Sequence, residues 1–322
     1  MNNKVLVTGA TGFVGRYLCE FLAKRGLTVV GVARSLPSKR ETLDYALHAV
    51  GDISKGVDWE PIMSGVDCVV HLAARVHVRN EQERDPLTAF RQVNVAGTEQ
   101  LLRSNGMRGV KRFIYLSTVK VHGDTNLERP FRANDTLEPL GPYARSKQEA
   151  ERVVREIDEH NGLETVIIRP PLVYGPGVSG NFLRLMKMVD RGIPLPFALI
   201  DNSRSLASVT NLCDLIRECL VNPSAAGQQF LVSDNSDVAT PELIRLIASA
   251  MHKPARLMPV PAAILTLTAK LVGRSAEMSR LIGSLQVDIE ETMQTLNWRP
   301  PVSLADGIHA TVTWYREQKA DA

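Results

Sequence analysis

The sequence predicts an α/β protein: a doubly wound parallel sheet followed by a smaller C-terminal α/β region. Three observations predict it. Short β-branched runs alternate with helix-like periodicity through the first half, a glycine-spaced turn follows the first run, and the texture changes to proline-broken segments past Arg169. The runs are residues 5–8, 28–32, 68–73, 113–117 and 165–169, with helical spacing over 15–25, 89–105 and 143–160. Right-handed crossovers in such a sheet open a crevice at the carboxyl ends of the strands, so chemistry is sought there.

The first run enters Thr8-Gly9-Ala10-Thr11-Gly12-Phe13-Val14-Gly15. Gly9 permits a tight turn, Gly12 lets a pyrophosphate approach the backbone, and the helix start supplies N–H donors and a positive dipole end. A strand before and a helix after make this a Rossmann-type dinucleotide loop. The second run decides which dinucleotide. The usual NAD pattern carries an acidic residue about 20 residues further on, bonded to the ribose 2′-hydroxyl. Here that place holds Ala33-Arg34-Ser35. A guanidinium pairs with a 2′-phosphate through two hydrogen bonds, so the sequence favours NADP(H) over NAD(H). The competing reading makes Arg34 a solvated loop arginine. Asp52 either bonds the adenine amino group or is an ordinary turn aspartate.

Tyr143-Ala144-Arg145-Ser146-Lys147 sets a phenol and an ammonium at i and i+4, on one helix face, with Pro142 suited to the first helical position. A free phenol has a pKa of about 10 and is a poor base at neutral pH. A nearby ammonium and an oxidised nicotinamide both favour the phenolate. The pair lies downstream of Ser117-Thr118, where another run ends.

Residues 1–169 are expected to form the nucleotide-binding domain, with 207–240, including a strand at 229–233, rejoining it. Residues 170–322 are expected to bind mainly substrate. The 322-residue chain has 23% charged and 44% hydrophobic residues and a net charge of +3, typical of a globular protein without an electrostatic footprint for nucleic acid. Its start shows no signal-peptide pattern, so a cytoplasmic protein is expected. The apolar stretch 262–272 is too short to span a bilayer and reads as a buried or interfacial helix. The 4 cysteines show neither zinc nor CxxC spacing, and His71 and His77 have no companion ligands, so no metal is expected. His71 reads instead as a packed neighbour of the cofactor.

TGATGFVG at 8–15, HLAA at 71–74, VNVAGT at 93–98, YLSTVKVHG at 115–123, PYARSK at 142–147 and RPPLVYGPG at 169–177 together resemble an extended short-chain dehydrogenase/reductase. The resemblance is closest to nucleotide-sugar enzymes of the UDP-hexose 4-epimerase type, including those serving bacterial O-antigen. It implies cofactor contacts from Gly9, Thr11, Gly12, Phe13, Val14, Gly15, Ile53, Leu72, Ala73, Ala74, Asn94, Lys147 and Pro170, besides Arg34 and Asp52. It implies that Tyr143 is the acid/base, that Lys147 holds the nicotinamide ribose and tunes Tyr143, and that Thr118, next to Ser117, bonds the substrate oxygen. Asn181 and Arg204 resemble residues that contact the nucleotide diphosphate. His122 either lines the substrate cleft or is a turn histidine, and Arg280 is either a second phosphate ligand or a solvated helix arginine. A homodimer through 89–105 and 143–160 is also implied.

Two departures shape the functional expectation. Epimerases of this type end the second strand in Asp and retain NAD, whereas this chain has Arg34, and Ser205 replaces the aspartate usual beside Arg204. The expected reaction is therefore NAD(P)H-dependent reduction at C4 of a nucleotide-linked 4-keto sugar, a UDP-4-keto-6-deoxy-N-acetylhexosamine, for surface-polysaccharide precursors. The alternative is NAD-dependent 4-epimerisation of a UDP-hexose or UDP-N-acetylhexosamine. A non-catalytic NADP(H) sensor is the alternative of another class, since fold does not fix function.

Overall fold

Strands that are apolar at consecutive positions need cover on both faces, and this chain supplies it. The computed structural model describes residues 4–37, 42–76, 85–126, 128–271 and 275–320, apart from the side chains of 158–161, 275–277 and 280. The strands are β1 (Lys4–Thr8), β2 (Thr28–Ala33), β3 (Ala46–Ala49), β4 (Cys68–His71), β5 (Arg112–Leu116), β6 (Glu164–Arg169), β7 (Leu172–Tyr174), β8 (Leu206–Ser208) and β9 (Gln229–Leu231). Seven form one parallel sheet in the order β3-β2-β1-β4-β5-β6-β9, and β7 pairs with β8 apart from it.

The helices are α1 (Phe13–Ala23), α2 (Glu60–Met63), α3 (Pro86–Arg91), α4 (Gly97–Leu102), α5 (Gly141–Asn161), α6 (Gly180–Asp190), α7 (Val209–Val221), α8 (Thr240–Ala250), α9 (Ala262–Leu271), α10 (Ser275–Ile282), α11 (Glu290–Leu296) and α12 (Leu304–Ala320). Neighbouring strand residues point to opposite faces. Val5, Val7, Val29 and Ile114 join Leu18 and Leu22 of α1 and Leu212 and Ile216 of α7 in one core layer. Leu6, Val30, Val69 and Phe113 join Leu101 of α4 and Ala150 and Val154 of α5 in the other. Past β6 a third layer gathers Tyr174, Phe182, Met186, Ile244, Ile308 and Val312 from β7, α6, α8 and α12. The chain returns to the sheet in between, through α7 against α1 and β9 beside β6.

Two details differ from the sequence reading, and two further ones belong to the C-terminal region. The helix expected over 89–105 is interrupted: α3 passes into a π-helical turn, Gln92–Ala96, before α4. β3 had no β-branched residue to announce it, and it forms by extending the edge at β2. In residues 286–289, Val287 makes an isolated bridge with Phe131, outside both sheets. The apolar helix α9 buries Leu265 and Ala269 but leaves Ile264, Leu267 and Leu271 exposed. Among the described residues no helix is long and apolar enough to cross a membrane.

Candidate active site

Strand order reverses direction between β1 and β4, with β2 and β3 on one side and β5, β6 and β9 on the other. Ligands of open α/β sheets bind in the crevice outside the carboxyl ends at such a point. A cleft of about 740 Å³ lies there, within the range of small-molecule sites.

The glycine loop forms one end. Gly9 has φ +70°, and a Cβ on it would stand 2.9 Å from the Ala73 nitrogen; a Cβ on Gly15 would stand 2.1 Å from the Gly9 oxygen. Side chains at those positions would collide with the chain's own backbone, so only glycine lets the loop fold this tightly between the end of β4 and the start of α1. Gly12 caps α1 without any side-chain hydrogen bond, and no acidic residue occupies the first turn. The first N–H groups of α1 thus keep their donors and dipole for an anion. A pyrophosphate-bearing dinucleotide fits this cradle.

Thr11, Phe13, Val14, Ile53, Leu72, Ala73, Ala74 and Pro170 line the same cleft, with Arg34 and Asp52 at the end of β2 and the turn beyond β3. Arg34 is exposed. Asp52 Oδ1 already accepts from Ser54 N and Oγ at 3.0 and 2.8 Å, which holds its carboxyl below the usual range, with smaller contributions from Lys55 and Arg34. Asp52 is the one carboxylate in the described lining.

At the other end stand Ser117, Thr118 and Tyr143. β5 delivers the first two, and the Pro142-led start of α5 delivers the third. Burial pushes the Tyr143 phenol up to about 12, opposed by its hydrogen bond with Thr118. It is therefore a phenol rather than a phenolate in the cofactor-free protein, a form suited to giving a proton. Ser117 Oγ is buried with no hydrogen-bond partner among the described residues, leaving a polar atom for a ligand to satisfy. Lys147, one turn along α5, is buried beside this end with Nζ 4.2 Å from the Tyr115 ring centroid. Burial lowers it to about 7, with Glu151 acting the other way.

Other expected residues stand apart from the lining. Asn94 is buried behind it and bonds Arg75 and Ser146. His122 is enclosed against Arg169 at 3.1 Å and the Phe131 ring, so it supports the site from behind. Asn181 is exposed in the first turn of α6, while its neighbour Ser179 reaches the cleft. Arg204 Nη1 donates to the Gly283 carbonyl at 2.9 Å, a contact with its own chain. The side chain of Arg280, and His77, lie outside the described residues. Among the described residues no cluster of His, Cys, Asp or Glu could hold a metal ion. Sequence reading missed Arg75 and Val76, which line the cleft just past β4; their position directly after His71-Leu72-Ala73-Ala74 at a strand end was the available signal.

A switch-point crevice with a glycine-lined anion cradle at one end and a Thr-Tyr-Lys group at the other defines an NAD(P)-dependent enzyme of the extended short-chain dehydrogenase/reductase class. The model of the NAD dependent epimerase/dehydratase family matches residues 5–232, and the chain belongs to that family. Among its relatives, a UDP-glucose 4-epimerase from Vibrio cholerae is 45% identical over 97% of this chain and 95% of its own length. An N-acetyl-alpha-D-glucosaminyl-diphospho-ditrans,octacis-undecaprenol 4-epimerase from Escherichia coli O157:H7 is 26% identical over 98% of this chain and 96% of its own. UDP-glucuronic acid 4-epimerase from Bacillus cereus in complex with NAD shares the fold at TM-score 0.78 and 22% identity, covering 98% of this chain and 99% of that one. UDP-glucose 4-epimerase from Thermotoga maritima, with UDP-glucose, does so at TM-score 0.79 and 22% identity with the same coverage.

Proposed function

We propose that this enzyme works at C4 of a UDP-linked hexose, and that its net reaction is reduction of a UDP-4-keto-6-deoxy-N-acetylhexosamine with NADPH preferred over NADH. The observation that carries the reading is Arg34: the adenosine end of the cleft presents a guanidinium where retained NAD calls for a carboxylate. Residues 9–15 hold the dinucleotide, and when bound it supplies the hydride. Tyr143 gives its phenolic proton to the oxygen on C4. Thr118, bonded to Tyr143, polarises the same oxygen, and Ser117 Oγ bonds a neighbouring hydroxyl. Lys147 holds the nicotinamide ribose, and its ammonium offsets the negative charge left on the phenol oxygen as the proton leaves. Residues 170–322 mainly bind the sugar nucleotide, with Asn181, Arg204 and Arg280 on its phosphates. Pairing of two copies through residues 89–105 and 143–160, and action in the cytoplasm, belong to the same reading.

A second reading is favoured by one specific finding, the 45% relative named as a UDP-glucose 4-epimerase. It uses the same residues, with the cofactor returned to its starting state in every turnover. One assay separates the two: NADPH consumption with the ketosugar, beside sugar analysis after incubation with UDP-glucose and UDP-N-acetylglucosamine. Stoichiometric consumption, lost by roughly two to four orders of magnitude in Tyr143→Phe, supports net reduction. Conversion of either UDP-sugar to its C4 epimer, without consumption on the ketosugar, overturns it.

A further inference from the structure

His71 ends β4 directly opposite Thr8 at the end of β1, in the register of the switch point. Its ring is fully buried and stacks on Phe113 and Tyr115, with centroids 5.8 and 5.9 Å away. None of the chemistry above uses it. Its hydrogen bonds nevertheless fix every proton around it. Thr8 Oγ1 accepts the N–H groups of Leu72 and Ala73, each at 3.1 Å, so its own proton goes to His71 Nδ1 at 2.8 Å. On the other side Thr98 Oγ1 gives its proton to the Asn94 carbonyl at 2.7 Å, and so accepts from His71 Nε2 at 3.0 Å. The imidazole is neutral with its hydrogen on Nε2; burial, and then the charge of Lys147, keep its pKa down to about 3.

Asn94 carries the line onward. Its Oδ1 accepts from Arg75 N–H at 2.7 Å, and its Nδ2 donates to the Arg75 carbonyl at 3.0 Å and to Ser146 Oγ at 2.9 Å. Ser146 Oγ then donates to the Tyr143 carbonyl at 2.8 Å. Two hydrogen-bonded segments therefore meet at Asn94: its main-chain carbonyl ends the segment that runs from Thr8 through His71 and Thr98, and its side-chain amide begins the one that runs through Ser146 to the turn that bears Tyr143. The backbone N–H donors at Leu72 and Ala73 and the carbonyl acceptor at Asn94 fix the direction of the bonds through His71, and a break would strand buried polar atoms.

We propose that His71 is a positioning residue that couples the phosphate loop to the Tyr143 turn, so that seating a dinucleotide on residues 9–15 and orienting Tyr143 are one hydrogen-bonded event. The catalytic consequence rests on Tyr143 being the proton donor; the coupling does not. Thr98→Val keeps the shape of residue 98 and removes the middle link, while His71→Phe removes both nitrogens. Amide exchange in the cofactor-free protein and NADPH titration by fluorescence read the coupling without any sugar, so a wrong substrate leaves both standing. Thr98→Val is expected to speed exchange at Leu72 and Ala73, three hydrogen bonds away, and to weaken NADPH about tenfold, with no further loss when His71→Phe is added. With the ketosugar, kcat falls more than KM rises, and His71→Gln, which keeps a donor near Nε2, recovers part of both. Exchange changes confined to the surroundings of residue 98, or losses that add in the double variant, overturn the proposal. Should His71→Phe fail to fold, the Thr98→Val exchange pattern alone decides.

Discussion

Arg169 and Glu151 form an enclosed two-point ion pair: Arg169 Nε and Nη2 donate to the two Glu151 oxygens at 2.9 and 2.7 Å, with side chains 1% and 0% exposed. Arg169 ends β6, and Glu151 lies one turn beyond Lys147 on α5, so the pair locks α5 to the sheet. Removing one partner leaves a buried charge. Glu151→Leu is expected to cost about 3–5 kcal/mol in urea unfolding, whereas Glu151→Leu with Arg169→Met recovers most of it. An equal or greater loss in the double variant would sink this account. Glu151 also favours the ammonium of Lys147 against burial. Glu151→Gln should therefore take Lys147 below its value of about 7, as read by NMR titration of labelled lysine.

Two buried histidines set the acid response. Burial lowers His71 to about 3 and His122 to about 4, with Lys147 and Arg169 respectively adding to the effect. Both folded values lie below the unfolded value of about 6.5. Between those limits the unfolded chain binds more protons than the folded one. The stability contribution is thus complete above about pH 6.5 and is lost as pH falls toward 4, approaching roughly 1.4 kcal/mol per pH unit for each group. Urea midpoints at pH 7, 6 and 5 should fall accordingly, and His122→Gln should flatten the series by about half. An unchanged slope in that variant would refute the assignment.

Much of the candidate site was legible because its parts lie close together in the sequence. Gly9, Gly12 and Gly15 work through their own backbone, and Tyr143 and Lys147 share a helix face, so spacing alone reveals them. The sheet was legible for the same reason, since each run that pairs in its interior carries its own β-branched residues. What stayed hidden depends on distant partners. The role of His71 requires Thr8 and Thr98, which are 63 and 27 residues away. The departure at Ser205 is answered by Asp237, whose carboxylate accepts the Ser205 hydroxyl from another segment. β3, four residues of Ala-Leu-His-Ala, acquires its identity only from the β2 edge.

Arg34 offers a test of cofactor choice that is independent of the sugar. It lines the adenosine end while exposed, so it can pay the cost of meeting a 2′-phosphate without leaving a buried charge behind. Arg34→Asp is expected to weaken NADPH at least tenfold and to strengthen NADH, because a carboxylate repels the phosphate and accepts from a ribose hydroxyl. Equal affinities for NADPH in the two proteins would remove the basis for preferring NADP(H).

Gly307 in α12 tests the packing of that helix against β7 and β8. Helix propensity alone favours Gly307→Ala by about 1 kcal/mol. Against this, the new Cβ would stand 2.4 Å from the Tyr174 oxygen and 3.0 Å from Cζ. Tyr174 cannot easily yield, because its hydroxyl donates to Asp234 Oδ2 at 2.7 Å, while Asp234 Oδ1 accepts from Ser208 N and Asn211 Nδ2, each at 2.7 Å. Overpacking of this kind costs about 1–3 kcal/mol, occasionally more, and the lost hydrogen bond about 1–3 kcal/mol beyond that. Gly307→Ala is therefore expected to lower the urea midpoint despite its better propensity. Tyr174→Phe is also destabilising, since it leaves the buried Asp234 short of a donor. Together the two substitutions should cost less than their sum, because the oxygen that clashes is the one removed. Strict additivity would show that Gly307 and Tyr174 do not meet.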